Sequence, residues 1–173
     1  NGECVSELVF NTSVVGYQEI ISDPSNYGEM LCMTYPVIGN YGLTDEDYES
    51  TKMTVSGLIV KEYNKYPSNF RYTHELHELM EENNIPGISG VDTREIVRIV
   101  KKNGVKRAII CDINKPLNEC MEAIKNYHAP KNIVKEISTK KVIHKRIPSF
   151  KYTVACIDCG VKRSLITELN SVG

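Results

Sequence analysis

The chain has 173 residues, of which 41% are hydrophobic and 25% are charged, and its formal net charge is −1. This balance is typical of a folded globular protein, and apolar segments recur along the whole length, which excludes intrinsic disorder. Because no apolar run reaches the ~20 residues of a membrane span and the first residues do not resemble a signal peptide, we expect no contact with a membrane.

The small net charge conceals two halves of opposite sign. Residues 1–86 hold 14 acidic and 4 basic side chains, whereas residues 87–173 hold 8 acidic and 17 basic ones. A basic half raises the question of nucleic acid, because clustered Lys and Arg bind phosphates. These basic residues are spread over predicted helices and a linker without interleaved aromatic residues. The pattern therefore favours a solvated surface or a charged contact with a partner protein, and no nucleic acid.

Short apolar runs rich in Val, Ile, Leu or Met predict four strands, at residues 7–10, 29–34, 53–60 and 106–111. Turn residues dominate the stretch 11–50. Such a stretch is either a functional loop or a structural excursion over one face of a sheet, and composition leaves both open.

Three helices are predicted after the loops. Thr73 is expected to cap the first, Asp92 with Glu95 three residues later resembles a capping box at the second, and the third covers residues 116–127. Helical spacing predicts their buried faces. These are Leu76, Leu79 and Met80, then Ile96, Ile99 and Val100, then Leu117, Cys120, Met121 and Ile124.

Residues 131–151 hold 7 basic residues and 1 acidic residue and show no helical periodicity, which predicts a surface linker. The apolar run 152–157 then predicts a strand, followed by a glycine turn and a helix over 162–170. Strand, turn and helix are the usual opening of an α/β domain. The buried side of this helix should be Leu165, Ile166 and Leu169. We expect three parts: a first domain (1–130), the linker (131–151) and the start of a second domain (152–173).

The six cysteines suggest free thiols in a reducing compartment, because several lie in apolar runs of a chain too large to need a disulfide framework. Cys156 and Cys159 form a C-x-x-C pattern, but Cys156 falls inside the predicted strand and a zinc site would need two further ligands. His74 and His77 lie three residues apart, not four as in the H-E-x-x-H zinc motif, which indicates a solvated helix face.

Nucleophilic catalysis requires an activated cysteine or serine with a neighbouring base. No cysteine lies in a G-x-C-x-G elbow, and no G-x-x-x-x-G-K-[ST] phosphate loop is present. The residues therefore assign neither a catalytic group nor a metal site.

Four segments, in order, closely resemble the small, glutamine-hydrolysing subunit of carbamoyl-phosphate synthetase. The resemblance runs from about residue 7 to the end and includes the tetrapeptide SNFR at 68–71. The segments are VFNTSVVGYQEIISDPSNY (9–27), TYPVIGNYG (34–42), GISGVDTREIVR (87–98) and IDCGVKRSLITEL (157–169).

This resemblance implies an α/β protein with a swivelling β/β/α N-terminal domain, followed by the first βα unit of a class I glutamine amidotransferase domain. Members of the family hydrolyse glutamine through a cysteine thioester. The ammonia reacts with carboxy-phosphate, formed from bicarbonate and ATP, and yields carbamoyl phosphate for pyrimidine and arginine synthesis.

The implied partners are the large synthetase subunit or domain and glutamine, and the implied location is cytoplasmic. ATP and Mg belong to the synthetase half, so no cofactor is expected in these residues. The family's cysteine nucleophile, histidine and acidic partner would fall beyond residue 173. These residues alone are therefore expected to be inactive.

Two residues are candidates for binding glutamine. The serine of the family's DPS motif, which binds glutamine from the N-terminal domain, corresponds to Ser25. Its Asp-Pro turn would present a small hydroxyl at low entropic cost. Lys162, in the D-x-G-x-K turn, is its expected companion near the same cleft. The alternatives are a plain turn serine and a solvated helix start.

Bacterial members commonly have D-F-G and an asparagine where this chain has Cys159 and Ser164. The D-C-G sequence is similar to that of fused eukaryotic enzymes of pyrimidine synthesis. Since ammonia-dependent relatives lose the nucleophile, the alternative function is a non-catalytic docking module of such a synthetase.

Overall fold

The computed structural model describes residues 2–173, and its centre is a mixed β-sheet. The strands are β1 (Cys4–Asn11), β2 (Met30–Met33), β3 (Val37–Ile38), β4 (Gly57–Ile59), β5 (Glu62–Tyr63), β6 (Gly87–Ile88) and β7 (Lys106–Ile110). Within the described residues, one sheet has five strands in the order β6-β4-β2-β1-β7, and β3 pairs with β5 in a second sheet. This confirms the predicted α/β class.

Most neighbouring strands in the larger sheet are parallel: β1 with β2, β2 with β4, and β4 with β6. Only β7 is antiparallel, with Cys4 opposite Ile110 and Leu8 opposite Lys106 on β1. Parallel neighbours require long crossover connections. The long turn-rich stretches between the strands provide these crossovers.

Helices lie in these crossovers and after the sheet: α1 (Tyr17–Ile21), α2 (Leu76–Glu82), α3 (Thr93–Asn103), α4 (Leu117–Asn126), α5 (Ile133–Ile137) and α6 (Arg163–Ser171). Across residues 2–173, none of them combines the length and the apolar character that a membrane crossing requires.

The core lies on both faces of the sheet, because successive side chains of a strand point to opposite sides. From β2, Leu31 and Met33 join one apolar cluster, which also contains Tyr17 and Ile21 of α1. Met30 and Cys32 of the same strand join the other cluster, with Val100 of α3. The stretch 11–50 thus contributes core residues, which agrees with the structural alternative, a segment that packs over one face of the sheet.

Helix starts agree only partly with the sequence pattern. Asp92 caps α3, as predicted, and its Oδ1 accepts a hydrogen bond from the Glu95 N–H at 3.0 Å. The second contact of the predicted capping box is replaced, because the Glu95 carboxylate accepts from Arg98 at 3.0 Å. Thr73 does not cap α2; the cap is Glu75, and the Thr73 hydroxyl donates to the Leu43 carbonyl at 3.3 Å. The strand predicted at 53–60 is limited to β4, because the residues before it pair with no strand in the part of the chain that the structure describes.

Several predicted buried positions are exposed. In α3 the buried residues are Thr93, Val97 and Val100, whereas Ile99 is 47% exposed. The apolar residues Leu117, Met121, Leu165 and Leu169 are also exposed on α4 and α6. Their spacing predicts a helix correctly, but burial requires a second element to cover the face.

The last third of the chain departs most from expectation. The predicted linker contains α5, whose five residues are too few to show a periodic stripe. The strand predicted at 152–157 does not form: these residues are exposed and pair with no other strand among the described residues. The helix predicted at 162–170 forms as α6, shifted by one residue.

Candidate functional site

Ser25 lies in a short 3-10 turn directly after α1. We call residues 23–25 the DPS turn. Asp23 precedes the turn, and its Oδ1 accepts a hydrogen bond from the Ser25 N–H at 2.9 Å. Pro24 occupies the first position, where its fixed φ suits the turn. These contacts fix the backbone of the turn, and Ser25 is exposed at the surface.

The position of the DPS turn depends on α1, which is fastened by two polar side chains. The buried Gln18 amide donates to the Thr44 carbonyl at 2.5 Å and accepts from the Thr44 N–H at 2.9 Å. At the start of α1 the Tyr41 hydroxyl accepts from the N–H groups of Gly16 and Tyr17, at 2.8 and 2.9 Å. The Tyr41 contacts use N–H groups that a helix start leaves unpaired, and the Gln18 contacts hold the helix against Thr44.

A second turn, which we call the Gly160 turn (residues 158–162), lies against the DPS turn. The Asp158 carboxylate accepts from the N–H groups of Gly160 and Val161, at 2.8 and 2.9 Å, and from Thr139 N–H at 2.6 Å. These hydrogen bonds, that of Val161 first, hold the pKa of Asp158 below its usual value. Asp158 therefore stabilises the Gly160 turn internally and connects it to Thr139 of the predicted linker.

Glycine is required at position 160. Its φ is +103°, which L side chains rarely adopt, and an added Cβ would lie 2.6 Å from Ile137 Cδ1 and 3.2 Å from Pro24 Cβ. The absence of a side chain lets the backbone of the Gly160 turn approach the DPS turn closely.

An ion pair joins the two turns. The Lys162 Nζ lies 2.6 Å from Asp23 Oδ2, with the Asp23 side chain 12% exposed and that of Lys162 48% exposed. Burial raises the pKa of Asp23, but the hydrogen bonds from Lys162 and Ser25 outweigh this, and the net pKa is lowered. The carboxylate thus stays charged beside the Ser25 backbone.

A third contact lies at the start of α6. The Glu49 carbonyl accepts from the Arg163 N–H at 3.0 Å, and its Oε2 accepts from the Ser164 N–H at 3.0 Å. Glu49 therefore caps α6 from the long loop after β3. Lys162, which precedes this helix, makes no side-chain cap of its own.

The Asp23 carboxylate contacts both the Ser25 N–H and the Lys162 ammonium group, so Ser25 and Lys162 lie at one edge, where the two turns meet. Their role in glutamine binding stays a prediction. Sequence reasoning missed Asp23 and Glu49. The Asp-Pro-Ser pattern could have indicated Asp23 as the acceptor of an Asx-type turn. Nothing local could have indicated Glu49, whose partners are far along the chain.

The cysteines and histidines are placed away from this edge or lack partners for metal binding. Cys156 and Cys159 are exposed free thiols, and Cys111 Sγ lies 3.6 Å from Cys120 Sγ. Within residues 2–173, no group of three or more His, Cys, Asp or Glu side chains could hold a metal ion. His77 Nδ1 contacts Glu75 Oε2 at 3.2 Å and the Tyr63 hydroxyl at 3.1 Å.

Comparison with known proteins identifies the family. The family model described as the carbamoyl-phosphate synthase small chain, CPSase domain, matches residues 1–110. A protein of Oceanobacillus iheyensis named carbamoyl phosphate synthase small chain is 40% identical over 169 residues, which is 98% of this chain and 46% of that protein. The proteins of the same name from Staphylococcus saprophyticus and Listeria innocua are 41% and 39% identical, over 98% and 97% of this chain and 46% of each of them.

The chain spans about half the length of the curated relatives that it matches. The matched CPSase domain contains the DPS turn, with Asp23 and Ser25, and the loop that carries Glu49. On this match, the chain belongs to the carbamoyl-phosphate synthase small-chain family.

Proposed function

We propose that the chain is part of the glutaminase half of a carbamoyl-phosphate synthetase, in which Ser25 and Lys162 contribute to glutamine binding. In that reaction glutamine is hydrolysed, and the ammonia is passed to the synthetase for carbamoyl phosphate formation from bicarbonate and ATP. The product would serve pyrimidine and arginine synthesis in the cytoplasm.

The observation that carries this proposal is the 2.6 Å ion pair between Asp23 and Lys162. It holds the DPS turn against the Gly160 turn, where the amidotransferase domain of the family would begin. A hydroxyl at this edge can both donate to and accept from a polar substrate. Ser25 is an exposed residue, and its hydroxyl, which also interacts with the Asp23 carboxylate, is proposed to contact a ligand bound between the two parts.

The proposed partner is the large synthetase subunit, or the equivalent domain of a fused chain. ATP and Mg are assigned to that partner, and no cofactor is assigned to residues 1–173. Thioester chemistry needs a cysteine activated by a base. No cysteine of these residues lies in the G-x-C-x-G elbow of such a nucleophile, so the residues are proposed to supply substrate contacts and docking, not the nucleophile.

The test uses the full-length protein that contains this chain, purified with its synthetase partner. Carbamoyl phosphate formation from bicarbonate and ATP is measured with glutamine and, separately, with ammonium chloride. We expect both nitrogen donors to support the reaction. Activity with ammonia and none with glutamine would overturn the proposal in favour of a docking module of an ammonia-dependent synthetase.

A second measurement tests residues 1–173 alone for glutamine hydrolysis. Residues 1–173 alone should release no glutamate from glutamine above a control without protein. Glutamate release by these residues would contradict the assignment of the nucleophile to another part of the protein.

A further inference from the structure

We propose that Glu49 is a positioning residue for glutamine binding: from the N-terminal domain it caps α6 and so fixes the Gly160 turn beside Ser25. This inference rests on the proposed function and adds to it a residue that does not touch the substrate.

Glu49 contacts the first turn of α6. A helix start leaves its first N–H groups without partners inside the helix, and an acidic side chain there also interacts favourably with the helix dipole. Glu49 meets both needs, because its backbone oxygen accepts from Arg163 and its carboxylate accepts from Ser164, each at 3.0 Å. Lys162 cannot substitute as a cap, since an ammonium group has no acceptor.

Ser22 in turn holds Glu49 in place. Its N–H donates to the Ser22 hydroxyl at 2.9 Å, and that hydroxyl donates to the Gln18 carbonyl at 2.8 Å. Ser22 is buried and directly precedes Asp23. The cap of α6 and the ion pair with Lys162 therefore originate from adjacent residues at the end of α1.

The contacts that join α6 to the N-terminal domain lie at its first turn and at the residue before it. Glu49 accepts from Arg163 and Ser164, and Lys162, which directly precedes the helix, pairs with Asp23. Loss of the Glu49 carboxylate should loosen this turn and displace the Gly160 turn from Ser25.

The test compares Glu49→Ala and Glu49→Gln in the full-length protein with its synthetase partner. The matched control is Glu46→Ala, since Glu46 lies in the same loop but pairs with Arg71 at 2.7 Å, away from α6. Two quantities are measured: the kinetic constants for glutamine and for ammonia, and the hydrogen-exchange rate of the amides at the start of α6.

Loss of a side-chain cap corresponds to roughly a 2- to 30-fold change in an equilibrium. We expect Glu49→Ala to raise the KM for glutamine and the exchange rate of the Ser164 amide within that range. The kcat with glutamine and the ammonia-dependent rate should stay near wild type. Glu49→Gln keeps an oxygen acceptor and should fall closer to wild type, and Glu46→Ala should change neither quantity.

Faster exchange in Glu49→Ala with an unchanged KM for glutamine would overturn the positioning role, and so would an unchanged exchange rate. An equal loss of ammonia-dependent activity would indicate general destabilisation and also contradict it. If the wild-type protein uses ammonia but not glutamine, the proposed function fails and the role in glutamine binding fails with it. In that case the exchange rates still show whether Glu49 caps α6.

Discussion

The Nζ of Lys162 lies 2.6 Å from Oδ2 of Asp23, so the start of α6 and the end of α1 are joined by a direct ion pair. Exposed ion pairs usually contribute about 0–1 kcal/mol to stability. This pair is only partly exposed, but its Lys162 side is open to solvent. Its main effect is therefore the alignment of two turns, and its contribution to the free energy of unfolding is small.

Ser25→Ala in the full-length enzyme should impair the use of glutamine. Loss of one hydrogen bond to a charged group corresponds to about 1.5–3 kcal/mol, which is roughly a 10- to 150-fold loss at 1.4 kcal/mol per tenfold. If the hydroxyl binds ground and transition states alike, the loss appears in the KM for glutamine, with kcat nearly kept. The measurement is steady-state kinetics with glutamine and with ammonia.

Activity of Ser25→Ala with ammonia should survive, because in the proposed function ammonia reaches the synthetase without passing through the glutamine-binding site. Ser149→Ala is the control, since Ser149 is an exposed serine of the linker. Unchanged glutamine kinetics in Ser25→Ala would reduce Ser25 to a turn residue.

A small, acid-sensitive part of the stability should depend on the charge of Asp23. Because the pKa of Asp23 is lower in the folded state, its carboxylate stabilises the fold above the unfolded pKa of about 3.9, and this stabilisation is lost as the pH falls through the folded pKa. The difference in free energy of unfolding between wild type and Asp23→Asn should thus be constant from about pH 5 to 7 and shrink below pH ~4.

Urea unfolding at several pH values measures this difference. Lys162→Met removes the partner cation and should reduce the same acid-sensitive difference, because a hydrogen bond from Lys162 contributes to the lowered pKa of Asp23. A difference that grows as the pH falls would contradict the sign of the pKa shift.

Tyr41→Phe should destabilise the protein through α1. The substitution removes the oxygen that accepts from Gly16 and Tyr17, and leaves two partly buried N–H groups without that acceptor. Unsatisfied buried donors destabilise by about 1–3 kcal/mol each. Because both N–H groups are only partly buried, we expect the lower end of the sum for two donors, a loss of roughly 2 kcal/mol in the free energy of unfolding. Tyr66→Phe, at a tyrosine that is 74% exposed, is the matched control and should have no measurable effect.

Gly160→Ala should move the Gly160 turn away from the DPS turn, because the backbone would be strained and the new Cβ would overlap Ile137. The φ of +103° is unfavourable for alanine, and the new Cβ would lie 2.6 Å from Ile137 Cδ1. Strained backbone conformations contribute about 1–3 kcal/mol. The overlap adds a smaller cost, because the nearest atom is the terminal methyl of the half-buried Ile137 side chain, which can shift. Gly90→Ala isolates the first effect, because Gly90 has a φ of +82° and no heavy atom within 4 Å of an added Cβ.

Exchange of the amides at the start of α6 measures the effect of Gly160→Ala. The double variant Gly160→Ala/Ile137→Ala removes the overlapping side chain and should recover part of the loss. Equal losses in the free energy of unfolding for Gly160→Ala and Gly90→Ala would show that close approach at position 160 is unimportant.

Sequence patterns predicted the elements that depend on local residues. Strand β7 and the Asp92 cap of α3 follow from residues a few positions apart, and both are confirmed. Helices α1 and α5 have five residues each, which is too short for a periodic pattern to be detected. The run at 152–157 has strand composition, but a strand also needs a neighbour to pair with.

The candidate site was less accessible to prediction than the fold. Ser25 and Lys162 were named from a family resemblance, because neither lies in a pattern that specifies a ligand by itself. Their connection through Asp23, and the cap that Glu49 provides to α6, join parts of the chain that are distant in sequence. Such contacts depend on the whole tertiary fold, and local composition does not encode them.

The position of β1 within the sheet has a consequence for folding. On one side β1 pairs with β2, and on the other it pairs with β7, where Cys4 is opposite Ile110. Pairing of residues so distant in sequence slows folding, since a long loop must close before the contact forms. During synthesis, one edge of β1 therefore stays unpaired until β7 has left the ribosome, and an unpaired strand edge can pair with another chain.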